Sequence, residues 1–190
     1  MTKSVTEALS GLDAVPWCNL KHAYGPAIDV PELIRTLASP DGSLRDKAWH
    51  ELYGNLWHQG TIYEATAYAI PFLIRLLEAP AVPDKQRILL YLAMLFIGRS
   101  FWDVHKSTSI LRGEVSKPGF EEKLKAELEC VAAAKAAINA GREIYVQQLH
   151  EIAVEPKIAA AYLLGLIGED DGEDERELSV LEEIARSCEP

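Results

Sequence analysis

"VPELIRTLASPDGSLRDKAWHELYGNL", residues 30–56, and "IPFLIRLLEAPAVPDKQRILLYLAMLFIG", residues 70–98, are two copies of one pattern. Each opens on a proline and continues with Leu-Ile-Arg and a further Leu. A short turn carrying Asp follows, then an Arg and an apolar second run. Pro31 and Pro71 are forty residues apart; Asp41 answers to Asp84 and Arg45 to Arg87 once about three extra residues are allowed in the second turn. A period near forty is the mark of stacked helix pairs. Within the first copy, Leu33, Ile34 and Leu37 recur at helical spacing, and Pro31 stands where a helix's first turn tolerates a missing N–H. After the turn Ser-Pro-Asp-Gly, the row Leu44, Ala48, Leu52 and Leu56, flanked by Trp49 and Tyr53, predicts an amphipathic second helix.

Working outward, Gly60 reads as the stop of that helix, and Thr61 with Glu64 as a capping box that starts the next at residue 61. Pro71 inside this helix removes a donor and is expected to bend it. Residues 84–98 form a helix apolar on almost all sides, as an enclosed element would be. A break of 21 residues, "RSFWDVHKSTSILRGEVSKPG", comes next. Residues 120–140, rich in Ala, Glu, Lys and Leu, predict a long helix that continues past Gly141 toward His150. "KIAAAYLLGLIG" echoes the second helix of the repeat, and residues 175–187 predict a last, acidic helix. No stretch alternates with period two between turn signals, so the class is all-α.

Length and charge bound the rest. A chain of 190 residues suits one domain with a real core. Cys18, Cys130 and Cys188 are scattered and form no C-x-x-C, and the first seventeen residues lack the apolar core of a signal peptide. A reducing cytoplasm is the expected location. The longest strongly apolar run, residues 88–97, is about half of the ~20 residues that cross a bilayer, so no membrane span is expected. The net charge of −10 is concentrated at the end: residues 169–190 hold ten acids against Arg176 and Arg186, leaving −2 for everything before. A nearly neutral body lacks the clustered cations that track phosphates, which disfavours nucleic acid as a partner.

The repeated Pro, Leu-Ile-Arg, Asp and Arg pattern resembles HEAT repeats. More narrowly, "LKHAYGPAIDVPELI" and "ELYGNLWHQGTIYEATAYAIPFL" resemble a group of bacterial HEAT-like proteins. The resemblance covers roughly residues 17–98. It implies a right-handed α-α superhelix of about three helix pairs and carries no functional residue across. Residues 28–60 would be repeat 1, 61–99 repeat 2, 100–118 a long inter-repeat loop, 119–168 a degenerate repeat 3 and 169–190 an acidic cap. The segment around Trp17, His22 and Tyr24 reads as an irregular cover on the first repeat.

Chemical motifs are few. His50 and His58 lie eight residues apart on one helix flank, about 12 Å of rise, too far to share a metal whose nitrogen ligands sit near 2 Å. His-Glu occurs at residues 50–51 and 150–151. Deoxyhypusine hydroxylase, a HEAT-repeat di-iron enzyme, resembles this in using such pairs, but it uses four, in successive repeats. Neither a G-x-S-x-G motif, a phosphate loop nor a papain-like Cys context is present. The run "GEDDGEDERE" lacks the glycine a calcium loop needs at its sixth position. Trp102 and Asp103 could furnish a DNA-glycosylase-like pocket, but without a basic surface around them.

The functional candidate is therefore the long break, since compact domains rarely keep so many residues without a use. Trp102, His105 and Arg112 are its expected contacts with another protein, because aromatics and Arg dominate binding hot spots. The alternative is that Phe101 and Trp102 fold back over the apolar helix before them. The resulting expectation is a non-enzymatic binding module without cofactor or metal, acting as a scaffold or as an immunity protein that plugs a toxin. Its acidic end would suit a basic partner. An enzyme with a His/Glu metal site or a base-excision pocket is the competing expectation.

Overall fold

The computed structural model describes residues 3–171. The expected acidic helix at residues 175–187, and most of the acidic cap, lie outside them. The described chain is predominantly helical, as the periodicity predicts. Helices α2 (Val30–Thr36) and α3 (Gly42–Asn55) pack together, as do α4 (Glu64–Leu77) and α5 (Lys85–Phe96). Asp41 caps α3, its carboxylate accepting from the Ser43 and Leu44 N–H groups at 2.8 and 3.3 Å, which satisfies donors the helix cannot use itself.

Ala48, Trp49, Leu52 and Leu56 are buried as the row predicts, while Leu44, one turn earlier, is exposed. Trp49 and Tyr53 meet Tyr91 of α5 edge-on at 5.4 and 4.8 Å, and the Tyr91 hydroxyl donates to the Leu52 carbonyl at 2.6 Å. Burial pushes the Tyr91 hydroxyl pKa well up, so it stays a donor in this seam. Two ion pairs tie the two copies together. Arg45 donates to Asp84 at 2.7 Å and Arg87 to Asp46 at 2.5 Å. Asp84 holds this place in the left-handed region, at φ 55°.

The corner between the copies differs from the expectation. Trp57–His58 (β3) and Thr61–Ile62 (β4) pair antiparallel around Gln59 and Gly60, both with positive φ, 52° and 87°. Two consecutive left-handed residues close a two-residue hairpin whose twist matches its strands. Gly60 is thus the hairpin's turn rather than a helix stop. Helix α4 begins at Glu64, with the Tyr63 N–H donating to the Thr66 hydroxyl at 3.0 Å and that hydroxyl donating on to the Leu56 carbonyl at 2.8 Å. Thr66, instead of the expected Thr61–Glu64 pair, joins the two helix ends. Helix α4 then runs continuously through Pro71, which faces solvent.

The N-terminal segment contains α1 (Val5–Ala8) and a second small hairpin, β1 (Lys21–His22) with β2 (Gly25–Pro26). Trp17 is buried near Phe72 of α4, its indole N–H donating to the Leu12 carbonyl at 2.8 Å. His22 donates from Nε2 to Asp29 at 3.0 Å and accepts the Tyr24 N–H on Nδ1 at 3.0 Å. The other oxygen of Asp29 takes the Asn55 amide at 2.5 Å. Both imidazole nitrogens are therefore spent on holding this hairpin to the end of α3.

Downstream, α8 (Phe120–Asn139) does not reach His150. It ends before Gly141, and α9 (Arg142–Gln148) starts anew. A Cβ at Gly141 would lie 2.5 Å from the Tyr145 hydroxyl and 2.9 Å from Ile74, so the break accommodates a close crossing onto α4. Helix α10 (Val154–Asp171) follows. α8 packs on α4, and α10 on α5 and α9. The stretch 100–118 carries α6 (Phe101–His105), a 3-10 turn (Ser109–Leu111) and α7 (Arg112–Val115), where the sequence suggested a structureless loop. No helix among the described residues is long and apolar enough to cross a membrane.

Candidate functional site

The region around α6 is assembled from the hairpin outward. Gly98 must be a glycine because a Cβ there would fall 2.4 Å from an Ile62 methyl. That approach lets Arg99 join the hairpin: its N–H donates to the Gly60 carbonyl at 2.9 Å, and its carbonyl accepts the Ile62 N–H at 3.2 Å. Ser100 then caps α6, accepting the Asp103 N–H at 3.1 Å and donating its hydroxyl to Glu127 of α8 at 2.7 Å. Glu127 also accepts the Trp102 N–H at 3.1 Å. An anion at this helix start supplements the cap.

Trp102 points inward. It is 7% exposed, meets Phe120 edge-on at 5.3 Å, and carries the Lys123 ammonium 4.5 Å above its ring. With Leu124, and with Leu111 and Val115 at the margin, it makes a small core separate from the main one. Trp102 thus folds onto α8, and not over the apolar α5 that precedes it. The outer side of α6 presents Phe101 and Val104, 38% and 44% exposed. His105 stacks on Phe101 at 4.4 Å and donates from Nδ1 to the Phe101 carbonyl at 2.8 Å, which leaves Nε2 free to accept from a partner. Arg112 lies exposed at the start of α7. Of the three residues singled out in the sequence, Arg112 is exposed, His105 is half-buried and Trp102 is buried against α8.

Beside this module, between the β3–β4 hairpin and α8, lies a cavity of about 340 Å³ lined by Ile62, Tyr63, Lys123, Ala126, Glu127 and Cys130. Lys123 and Glu127 belong to both features, so the cavity adjoins the module. Burial pushes the Cys130 thiol pKa up, and the nearby carboxylates of Glu64, Glu127 and Glu129 push it further. The thiol therefore stays protonated at neutral pH, the opposite of what a nucleophilic cysteine requires. Burial likewise raises the Tyr63 hydroxyl, with Tyr24 and Glu127 adding to it. The site offers apolar surface and hydrogen bonds but no activated nucleophile.

A second concavity of about 640 Å³ runs between the α4–α5 turn and the α9–α10 turn. Its charges are already paired: Glu78 with Lys3, Asp84 with Arg45, and Lys85 with Glu151. The two His-Glu pairs do not converge. His50 and Glu51 line a shallow dent with Ser43, Asp46 and Lys47, whereas Glu151 is held by Lys85 at 3.2 Å. His58 faces the Tyr24 hydroxyl at 3.3 Å. Among the described residues no three His, Cys, Asp or Glu side chains gather closely enough to hold a metal ion.

Val104, Lys123 and Glu127 were not singled out by sequence reasoning. Ser100 followed three residues later by Asp103 is the spacing of a capped helix start, and reading it so places Phe101 and Val104 on one face. Glu127, a single carboxylate within a charged helix, left no such signal. Compared with family models, with curated proteins and with solved structures, the chain gives no match.

Proposed function

We propose that this chain is a non-enzymatic protein-binding module, a HEAT-like stack of helix pairs that engages a partner through α6, α7 and the adjoining cavity. The observation that carries the reading is the outer face of α6. Phe101 and Val104 stand exposed beside a free imidazole nitrogen, on a backbone fixed by Ser100 and Glu127, and the exposed Arg112 opens α7 further along the same stretch. Rigid aromatic anchors with a polar surround are what hot spots are made of. The raised thiol pKa of Cys130 in the neighbouring cavity favours binding over catalysis there.

The solenoid reading draws support from the Arg45–Asp84 and Arg87–Asp46 pairs, which link the two successive helix pairs. It also draws support from the packing of α8 on α4 and α10 on α5. The acidic tail suits a basic partner, in a scaffold or toxin-neutralising role. The test is affinity capture from the native host with the full chain, followed by titration of the purified partner. Phe101→Ala and Arg112→Ala should each weaken binding at least tenfold, while Tyr68→Ala, on exposed α4 surface, should leave it unchanged. Equal affinity for all three variants would remove this surface from the interface.

A further inference from the structure

Gln148 is 3% exposed and lines the concavity of about 640 Å³ between the α4–α5 turn and the α9–α10 turn. Its Nε2 donates to the Leu77 carbonyl over a long 3.5 Å, and its Oε1 accepts from no group among the described residues. Turning the amide over would set oxygen against a carbonyl, so the unpaired atom is the acceptor. A buried acceptor costs stability unless something donates to it. The opposite need stands in the same wall. Helix α5 starts there without a side-chain cap, because Asp84 turns its carboxylate to Arg45. Among the described residues, the Lys85 and Gln86 N–H groups of its first turn meet no acceptor. The start of α10 borders the same space through Ala153 and Pro156.

The charges decide what such a wall can take. Its ionisable side chains are Glu78, Asp84, Lys85 and Glu151, and each already has a partner: Lys3 for Glu78, Arg45 for Asp84, and Lys85 and Glu151 for each other. A cation would face two helix N-termini, whose partial charge is positive. An anion would suit those termini but would meet three carboxylates and leave the Gln148 Oε1 without a donor. A neutral group that both accepts and donates meets every requirement. We propose that this concavity binds a small molecule through a primary carboxamide. The ligand carbonyl accepts from the Lys85 and Gln86 N–H groups, and its NH2 donates to Gln148 Oε1. The volume falls within the roughly 300–1,000 Å³ of small-molecule sites. Leu77, Pro80, Val82 and Pro156 supply apolar wall for the rest of the ligand. The site shares no lining residue with the cavity beside α6, so it stands apart from the partner surface proposed above.

Benzamide, benzoate and benzamidine share one shape and differ in charge, and titrating the nitrogen-15-labelled full chain with each is the test. Benzamide should shift the Lys85 and Gln86 backbone amides and the Gln148 side-chain NH2, with benzoate and benzamidine at least tenfold weaker. Gln148→Met, which removes the acceptor at similar volume, should weaken benzamide at least tenfold; unchanged affinity in this variant would overturn the proposal. Should the variant fail to fold, the charge series in the unsubstituted chain decides. Tighter binding of benzoate or benzamidine would overturn the proposal in favour of an anion or a cation. No shift with any of the three would also overturn it, leaving solvent to satisfy Gln148. Acetylglutamine methylamide bound more tightly than benzamide would overturn the small-molecule source in favour of a partner's side chain.

Discussion

Trp49 and Trp102 are both buried tryptophans, but they serve cores of different kind. Trp49, 1% exposed, is locked between Tyr53 and Tyr91, lies beneath the Arg87 guanidinium, and belongs to a core that extends from α1 to α10. Trp102 belongs to a core of three buried residues with two partly buried neighbours. The first core holds successive helix pairs together, so its loss is felt everywhere. The second holds one module on one helix. A locally weak element of this kind can adjust without loosening the main core.

Truncating Trp49 to Ala should therefore have the largest effect. The indole N–H of Trp49 makes no hydrogen bond, so the loss is one of packing, about 3–5 kcal/mol. Urea denaturation should show a lower midpoint with an unchanged slope. Truncating Trp102 to Ala should remove packing of similar chemistry yet act locally. Hydrogen exchange in α6, α7 and the first turns of α8 should quicken at least tenfold, while α4 and α5 amides keep their protection and the urea midpoint moves less than for Trp49→Ala. Equal midpoint shifts for the two variants would mean that the two cores unfold as one. Glu127→Gln should act least. It keeps the shape but removes the charge that accepts from Ser100 and Trp102, a loss of about 1 kcal/mol. Faster exchange of the Trp102 amide with no change in the urea midpoint would place Glu127 in the module's attachment alone; a lower midpoint would tie it to the main core.

Much of the helical architecture was legible because the long helices leave a period. The row Ala48, Leu52, Leu56 and the all-apolar run of α5 each carry enough turns for a pattern to stand out; of the repeated Asp and Arg, Asp41 caps its own helix, Arg45 meets Asp84, and Arg87 meets Asp46, which lies outside the repeated pattern. Two-residue strands carry no period, so the β3–β4 hairpin was read as a helix stop followed by a cap. Gly60 signalled a left-handed turn without saying which kind. The five-residue α6 and four-residue α7 are likewise too short to print a pattern, and the segment read as a loop. Of the candidate site, His105 and Arg112 stand out by residue type; Arg112 lies exposed and His105 half-buried. Trp102 was found for the same reason, but its burial depends on Phe120 and Lys123, residues at the start of α8 that no local rule connects to it.

The sequence by itself determined roughly where the helices of three turns or more run and which of their faces are apolar. These follow from propensity and spacing along the chain, which are local quantities. Tertiary structure alone decided which copy's Arg meets which Asp, that Gly98 and Gly141 are sites of close approach, and that Glu127 anchors α6 across a gap of 25 residues. Those outcomes depend on distances between segments remote in sequence, and such distances are set by how the buried faces pack rather than by any single stretch that contributes to them.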